Sequence, residues 1–155
     1  MKIAFFSTQD HDVTSFNNEE SQYEFTFYKE QLNSKTVTLA KGFDAICVFV
    51  NDQVNKEVLN QLSQYNINCV LLRCAGFNNV NIESAKELNI QIYRVPAYSP
   101  NSVAEHAVAL IQTLNRKTHK AYNRIREGNF SLTHLEGFNL YQKTIGIIGT
   151  GKIGE

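Results

Sequence analysis

Ala45-Ile46-Cys47-Val48-Phe49-Val50 is an unbroken apolar run, and its reading decides the fold. A strand with one solvated face alternates apolar and polar side chains, whereas a strand covered on both faces of a parallel sheet does not. Working outward, comparable short runs recur. Lys2–Ser7 reads as a first strand and Tyr23–Tyr28 as a second, with Tyr23, Phe25 and Phe27 alternating on one face. Asn68–Arg73 is a further strand, and Ile90–Val95 a fifth that Pro96 ends. Between them Val54, Val58, Leu59 and Leu62 fall at helical spacing, and Asn81 is placed to cap a short helix through Leu88. Five strands separated by helices predict an open parallel α/β sheet of the flavodoxin-like kind. Its crossovers are right-handed and its functional loops lie at the carboxyl ends of the strands. This domain is expected to occupy residues 1–100.

Pro96-Ala97-Tyr98-Ser99-Pro100 predicts a rigid connector, because each proline fixes φ and biases the residue before it towards extended geometry. Ser102-Val103-Ala104-Glu105 has the form of a capping box, with Ser102 at N-cap and Glu105 at N3. One long helix is expected to follow. Its stripe of Val103, Ala107, Leu110, Ile111 and Leu114 gives way to Arg116, Lys117, Lys120, Arg124 and Arg126, and Gly128 is placed to end it. A second domain is expected from about Asn101 onward. The basic stretch reads as a solvated or subunit-facing helix end.

Composition narrows the class. With 43% hydrophobic and 19% charged residues, the 155-residue chain has the material for a packed core. Fifteen basic side chains balance fifteen acidic ones, which argues against a nucleic-acid partner. The longest apolar run is far too short to span a bilayer and the first residues too short for a secretory signal, so no membrane partner is expected. Cys47, Cys69 and Cys74 are odd in number and lie in or beside strands, which points to reduced thiols and a cytoplasmic location. No Cys/His cluster has metal-site spacing, so no metal is expected. His106 reads as a structural helix residue despite Glu105 beside it. His11, His119 and His134 lack partners at ligand spacing.

Thr144–Ile148 reads as another strand, followed at once by Gly149-Thr150-Gly151-Lys152-Ile153-Gly154. This is the G-x-G-x-x-G pattern in the context that favours dinucleotide binding. Gly149 permits the tight turn, Gly151 lets backbone approach a pyrophosphate, and Gly154 lets the following helix pack on the strand. The other reading is a glycine-rich turn with no ligand. The chain reaches Glu155 before the phosphate-binding helix and the acidic residue expected about 20 positions on. It is therefore expected to be the front part of a longer protein, holding only the start of a Rossmann domain.

Ala75-Gly76 follows a strand end, where amides can face an anion and Gly76 lacks a Cβ that would bar close approach. Gly76 could equally just make a turn. Tyr98, between two prolines, is either an aromatic lid or packing. Other chemistries share this architecture. A phospho-accepting receiver needs acids that Asp10, Asp12 and Asp52 roughly supply, but Arg94-Val95-Pro96 offers no lysine after the fifth strand. A flavodoxin-type FMN carrier needs a phosphate loop after the first strand, yet Ser7-Thr8-Gln9-Asp10-His11-Asp12 has no glycine and two acids. A non-catalytic binding module made of the front domain is a third reading.

Four segments, in order, resemble the D-isomer-specific 2-hydroxyacid dehydrogenases, most closely the bacterial fermentative D-lactate dehydrogenases. They are Arg73-Cys74-Ala75-Gly76-Phe77-Asn78-Asn79-Val80, Arg94-Val95-Pro96-Ala97-Tyr98-Ser99-Pro100, Val103-Ala104-Glu105-His106-Ala107, and the glycine motif. The resemblance implies a substrate domain followed by an NAD-binding domain, acting on pyruvate or a related 2-keto acid with NADH. It implies that amides of Ala75 and Gly76 hold the substrate carboxylate and that Tyr98 lines the substrate site. Val103 and Lys152-Ile153 are implied to contact the dinucleotide, alongside Gly149, Gly151 and Gly154. It further implies a homodimer formed through the helix region. The family's catalytic arginine, glutamate and histidine match no residue here, so no catalytic residue is expected within this chain.

Overall fold

The computed structural model describes residues 1–19 and 21–155. The chain divides into two compact units, Met1–Pro96 and Ala97–Glu155.

The first unit is a five-stranded, wholly parallel sheet: β1 (Lys2–Phe5), β2 (Glu24–Phe27), β3 (Ala45–Val48), β4 (Cys69–Leu72) and β5 (Gln91–Arg94). The order is β2-β1-β3-β4-β5, the flavodoxin-like order that the strand and helix alternation predicts. Every side chain of β3 is buried, which accounts for the first four residues of the apolar run; Phe49 and Val50 lie beyond the strand and are exposed.

Successive side chains point to opposite faces and build two cores. Ala4, Phe6, Ile46, Val48, Val70 and Leu72 face one side. There α2 (Lys56–Gln64) inserts Val58, Leu59 and Leu62, and α3 (Ile82–Glu87) adds Ala85. Asn55 caps α2 through Val58 N at 3.0 Å, and Asn81 caps α3 through Ser84 N at 2.8 Å, as the sequence predicts for Asn81. Ile3, Phe5, Ala45 and Cys47 face the other side. Here α1 (Asp10–Asn17), a helix absent from the sequence reading, sets Phe16 4.7 Å from Phe5, with Phe25 and Phe27 at 5.4 and 5.1 Å from the same ring. Such edge-on and tilted ring pairs add to the burial of the rings themselves.

Four expectations fail in the second unit. The helix α4 (Pro100–Arg116) starts earlier than predicted. Its N-cap is Ser99, not Ser102, because Pro100 is pre-set for the first helical position. Ser99 is correspondingly not extended: it sits at φ 27°, and its hydroxyl accepts from Ser102 N at 3.3 Å. The single long helix is two. Lys117, left-handed at φ 51°, breaks it before α5 (Thr118–Arg126). Gly128 does end α5, at φ 73°: its N–H donates to Ile125 O and that of Asn129 to Arg124 O, which together close the last turn.

Thr144–Ile148 is not a strand. A strand exists only as part of a ladder, and among the described residues of this unit none stands beside it. Ile145, Ile147 and Ile148 are exposed. The segment before them is tied to α4. Asn115 Nδ2 donates to Phe138 O at 2.9 Å, and Phe138 N donates back to Asn115 Oδ1 at 3.0 Å.

Candidate active site

The carboxyl ends of the parallel strands carry the polar constellation of the first unit. β1 runs out at Ser7, which sits at φ 50° and donates from Oγ to Asp52 Oδ1 at 2.6 Å. Asp52 is 1% exposed, and its carboxylate also accepts from Leu32 N at 2.7 Å and Phe49 N at 2.6 Å. Both oxygens are thus committed to the exits of β1 and β3. That disposes of Asp52 as a phospho-acceptor. The loop after β1 is equally occupied, since Thr8 Oγ1 donates to Tyr28 O and Gln9 N donates to Asp12 Oδ2. No flavin phosphate has a hydroxyl to meet at those positions.

β4 leads into the loop that carries Ala75 and Gly76, and three side chains hold this loop. At its start, the Arg73 guanidinium reaches across β3. It donates to Phe6 O at 2.7 Å and Ser7 O at 3.3 Å, pairs with Asp12 at 2.8 Å, and lies over the rings of Phe5 and Phe49. At its end, Asn79 Nδ2 donates to Asp52 O at 2.9 Å and Phe49 O at 3.2 Å. In the middle, Arg94 Nη1 donates to Ala75 O at 3.0 Å, Pro96 O at 3.2 Å and Val95 O at 3.4 Å, while its guanidinium stacks 5.3 Å from the Phe77 centroid. The sequence reading singled out none of Arg73, Asn79, Arg94 or the Asp52 network for these roles. The available signal was positional: a cation at the last residue of an apolar strand.

With the loop held this way, the N–H groups of Cys74, Ala75, Gly76 and Phe77 have no backbone acceptor among the described residues. Gly76 is exposed, its φ lies outside the left-handed region, and a Cβ built on it meets nothing within 4 Å. The turn therefore does not require glycine. What the missing Cβ leaves clear is the space in front of free amides.

Cys74 beside the loop is not a nucleophile. Its Sγ donates to Gly76 O at 3.1 Å, and burial raises its pKa, partly opposed by the Arg73 charge. Burial pushes the Cys47 thiol up to about 12.

In the second unit Tyr98 is 65% exposed, just ahead of the α4 N-cap, and Val103 lies exposed in the first turns of that helix. The glycine motif forms a closed loop. Gly149 takes φ 94°, and a single helical turn begins at Gly151, whose carbonyl accepts from Gly154 N and Glu155 N. A Cβ on Gly154 would lie 2.2 Å from Gly149 O, so its absence lets the loop close on itself. The N–H groups of Gly149, Thr150, Gly151, Lys152 and Ile153 have no backbone acceptor among the described residues. A run of free amides in a glycine-permitted curl is the donor set a phosphate requires. Ala75 and Gly76 thus share one loop, and residues 149–154 another; Tyr98 and Val103 flank the start of α4. Among the described residues no His/Cys/Asp/Glu cluster has metal-binding geometry, and no helix is long and apolar enough to cross a membrane.

Comparison with known proteins identifies the relatives of this chain. Residues 3–132 match the model of the D-isomer specific 2-hydroxyacid dehydrogenase catalytic domain. A 2-hydroxyacid dehydrogenase homolog of Haemophilus influenzae is 50% identical over 99% of the chain and 47% of its own length. D-lactate dehydrogenase of Escherichia coli is 48% identical over 99% of the chain and 47% of its own length, and its apo structure superposes with a TM-score of 0.91, covering 99% of this chain and 49% of that one. The D-lactate dehydrogenase of Lactobacillus jensenii, solved with NAD+, is 30% identical with a TM-score of 0.68, over 99% of this chain and 48% of that one. The chain spans about half the length of the curated relatives it matches. Fold and sequence agree, and the chain belongs to the D-isomer-specific 2-hydroxyacid dehydrogenase family.

Proposed function

We propose that this chain supplies the substrate-holding part of an NAD-dependent oxidoreductase that reduces a 2-keto acid, pyruvate by preference, to the D-2-hydroxy acid. One observation carries the reading: free backbone amides at Ala75 and Gly76, on a glycine the backbone does not need, at the carboxyl end of a parallel strand. Amides so disposed bind a carboxylate without burying a countercharge, and the site then discriminates an acid from a neutral ketone. Residues 1–100 are the substrate domain in this reading, and residues 101–155 begin the nucleotide domain. Tyr98 borders the substrate.

The free amides of residues 149–153 and the tight curl at Gly154 suit a pyrophosphate, with Gly149, Gly151, Lys152, Ile153, Gly154 and Val103 as the residues to hold NAD. Bound NADH supplies the hydride. The catalytic arginine, glutamate and histidine belong to sequence outside these residues, so within this chain the role is to bind and orient. A homodimer formed through the α4–α5 region in the cytoplasm, where the cysteines stay reduced, completes the proposal.

The test is NADH oxidation with pyruvate by the product of the complete gene, with the stereochemistry of the lactate determined, beside the 155-residue chain. The long form is expected to yield D-lactate and the short form to show neither turnover nor NADH binding. Turnover by the short form would overturn the division of labour.

A further inference from the structure

Arg94 does something that packing does not call for. Its side chain is exposed, yet one guanidinium nitrogen gathers three carbonyl oxygens, those of Ala75, Val95 and Pro96, and its flat face lies on Phe77. The Ala75 carbonyl is one half of a rigid unit. The peptide bond is planar and trans, so Ala75 O and Gly76 N–H point in opposite directions. Whatever holds the oxygen aims the hydrogen. We propose that Arg94 is the positioning residue for the substrate carboxylate: by anchoring Ala75 O it points the Gly76 N–H into the open space in front of the loop.

The neighbouring peptide is held in the same way, since Cys74 Sγ donates to Gly76 O. The Arg94 cation is also a fixed positive charge one peptide away from the bound anion, and it ties the loop to the Val95-Pro96 segment. A lysine cannot reproduce this, because an ammonium lacks the planar fork and its stacking face. The carboxylate of a 2-keto acid is unchanged by the reaction. An interaction that serves only to hold it is equally strong in ground and transition states and shows in KM rather than in kcat.

The proposal rests on the carboxylate-binding reading of Ala75-Gly76. The experiment is steady-state kinetics of the complete gene product with pyruvate and NADH, unsubstituted and as Arg94→Ala, Arg94→Gln and Arg94→Lys. Arg94→Ala is expected to raise KM for pyruvate about tenfold while kcat and KM for NADH stay within about twofold, and Arg94→Lys to recover part of the loss. Should alanine impair folding, Arg94→Gln is expected to show the same rise confined to pyruvate. An unchanged KM for pyruvate, or an equal rise in both KM values, overturns the positioning role. An unsubstituted enzyme that reduces no 2-keto acid sinks the functional reading and this proposal with it. A working enzyme whose Arg94 variants do not respond sinks this proposal alone.

Discussion

The Arg73 guanidinium lies 2.8 Å from the Asp12 carboxylate, with only 10% and 14% of the two side chains open to solvent. Breaking a shielded pair from one side leaves the other charge without compensation, and here it also strips a donor from Phe6 O. Arg73→Met is expected to destabilise the fold by about 3–5 kcal/mol in urea unfolding. Asp12→Asn is expected to cost less, since an amide oxygen still accepts from the guanidinium while its NH2 loses only the exposed bond from Gln9 N.

Asp52 accepts from three donors at 2.6–2.7 Å. In Asp52→Asn the amide can turn its oxygen towards only one side, so an N–H or O–H on the other side faces an NH2 donor. A loss of about 2–3 kcal/mol in thermal or chemical unfolding is expected. Incubation of the unsubstituted protein with acetyl phosphate is expected to leave its mass unchanged, because neither oxygen of Asp52 is free to attack.

Gly76 and Gly154 separate two uses of glycine. Gly76→Ala meets open space, so stability is expected to change by less than about 0.5 kcal/mol, while KM for pyruvate in the complete enzyme rises about tenfold. Gly154→Ala drives a Cβ to within 2.2 Å of Gly149 O and must open the loop. NADH affinity of the complete enzyme, read by fluorescence titration, is expected to fall by at least about tenfold.

The Cys47 thiol, raised by burial from 9.0 to about 12, gives a pH test of the core. The folded state keeps this proton more tightly than the unfolded chain. The thiol's contribution is thus fully present below pH 9 and is lost as the pH climbs towards 12. Between those limits the unsubstituted protein is expected to lose stability faster than Cys47→Ala, by up to about 1.4 kcal/mol per pH unit. Parallel slopes in denaturant titrations would count against a protonated core thiol.

The strands and their order were legible because apolar runs and their spacing are local signals. Asn81 was legible as a cap for the same reason. The helix α1 was not: none of its residues is fully buried, it has little apolar periodicity, and Asp12 within it pairs with Arg73 from a distant strand end. Ser99 and Lys117 escaped because a left-handed residue that is not glycine leaves no mark in the sequence. Thr144–Ile148 has strand composition, but pairing needs a neighbour that composition does not supply. At the proposed site, Ala75 and Gly76 were singled out by the family resemblance and by their place after a strand end, where amides can face an anion. Arg94 and Asp52 act through partners 19 to 45 residues away, and no motif announces such contacts.

The bonds that stitch the strand exits together join distant parts of the chain. Ser7 meets Asp52 across 45 residues, and Arg73 meets Phe6 across 67. Closing such long loops costs entropy that is recovered only once the intervening crossovers are in place, so contacts of this kind form late on the way to the native state. The end of the sheet that carries these loops is accordingly expected to mature last. A partly collapsed chain, with its helices already formed, would still lack the bonds that set the strand-end loops.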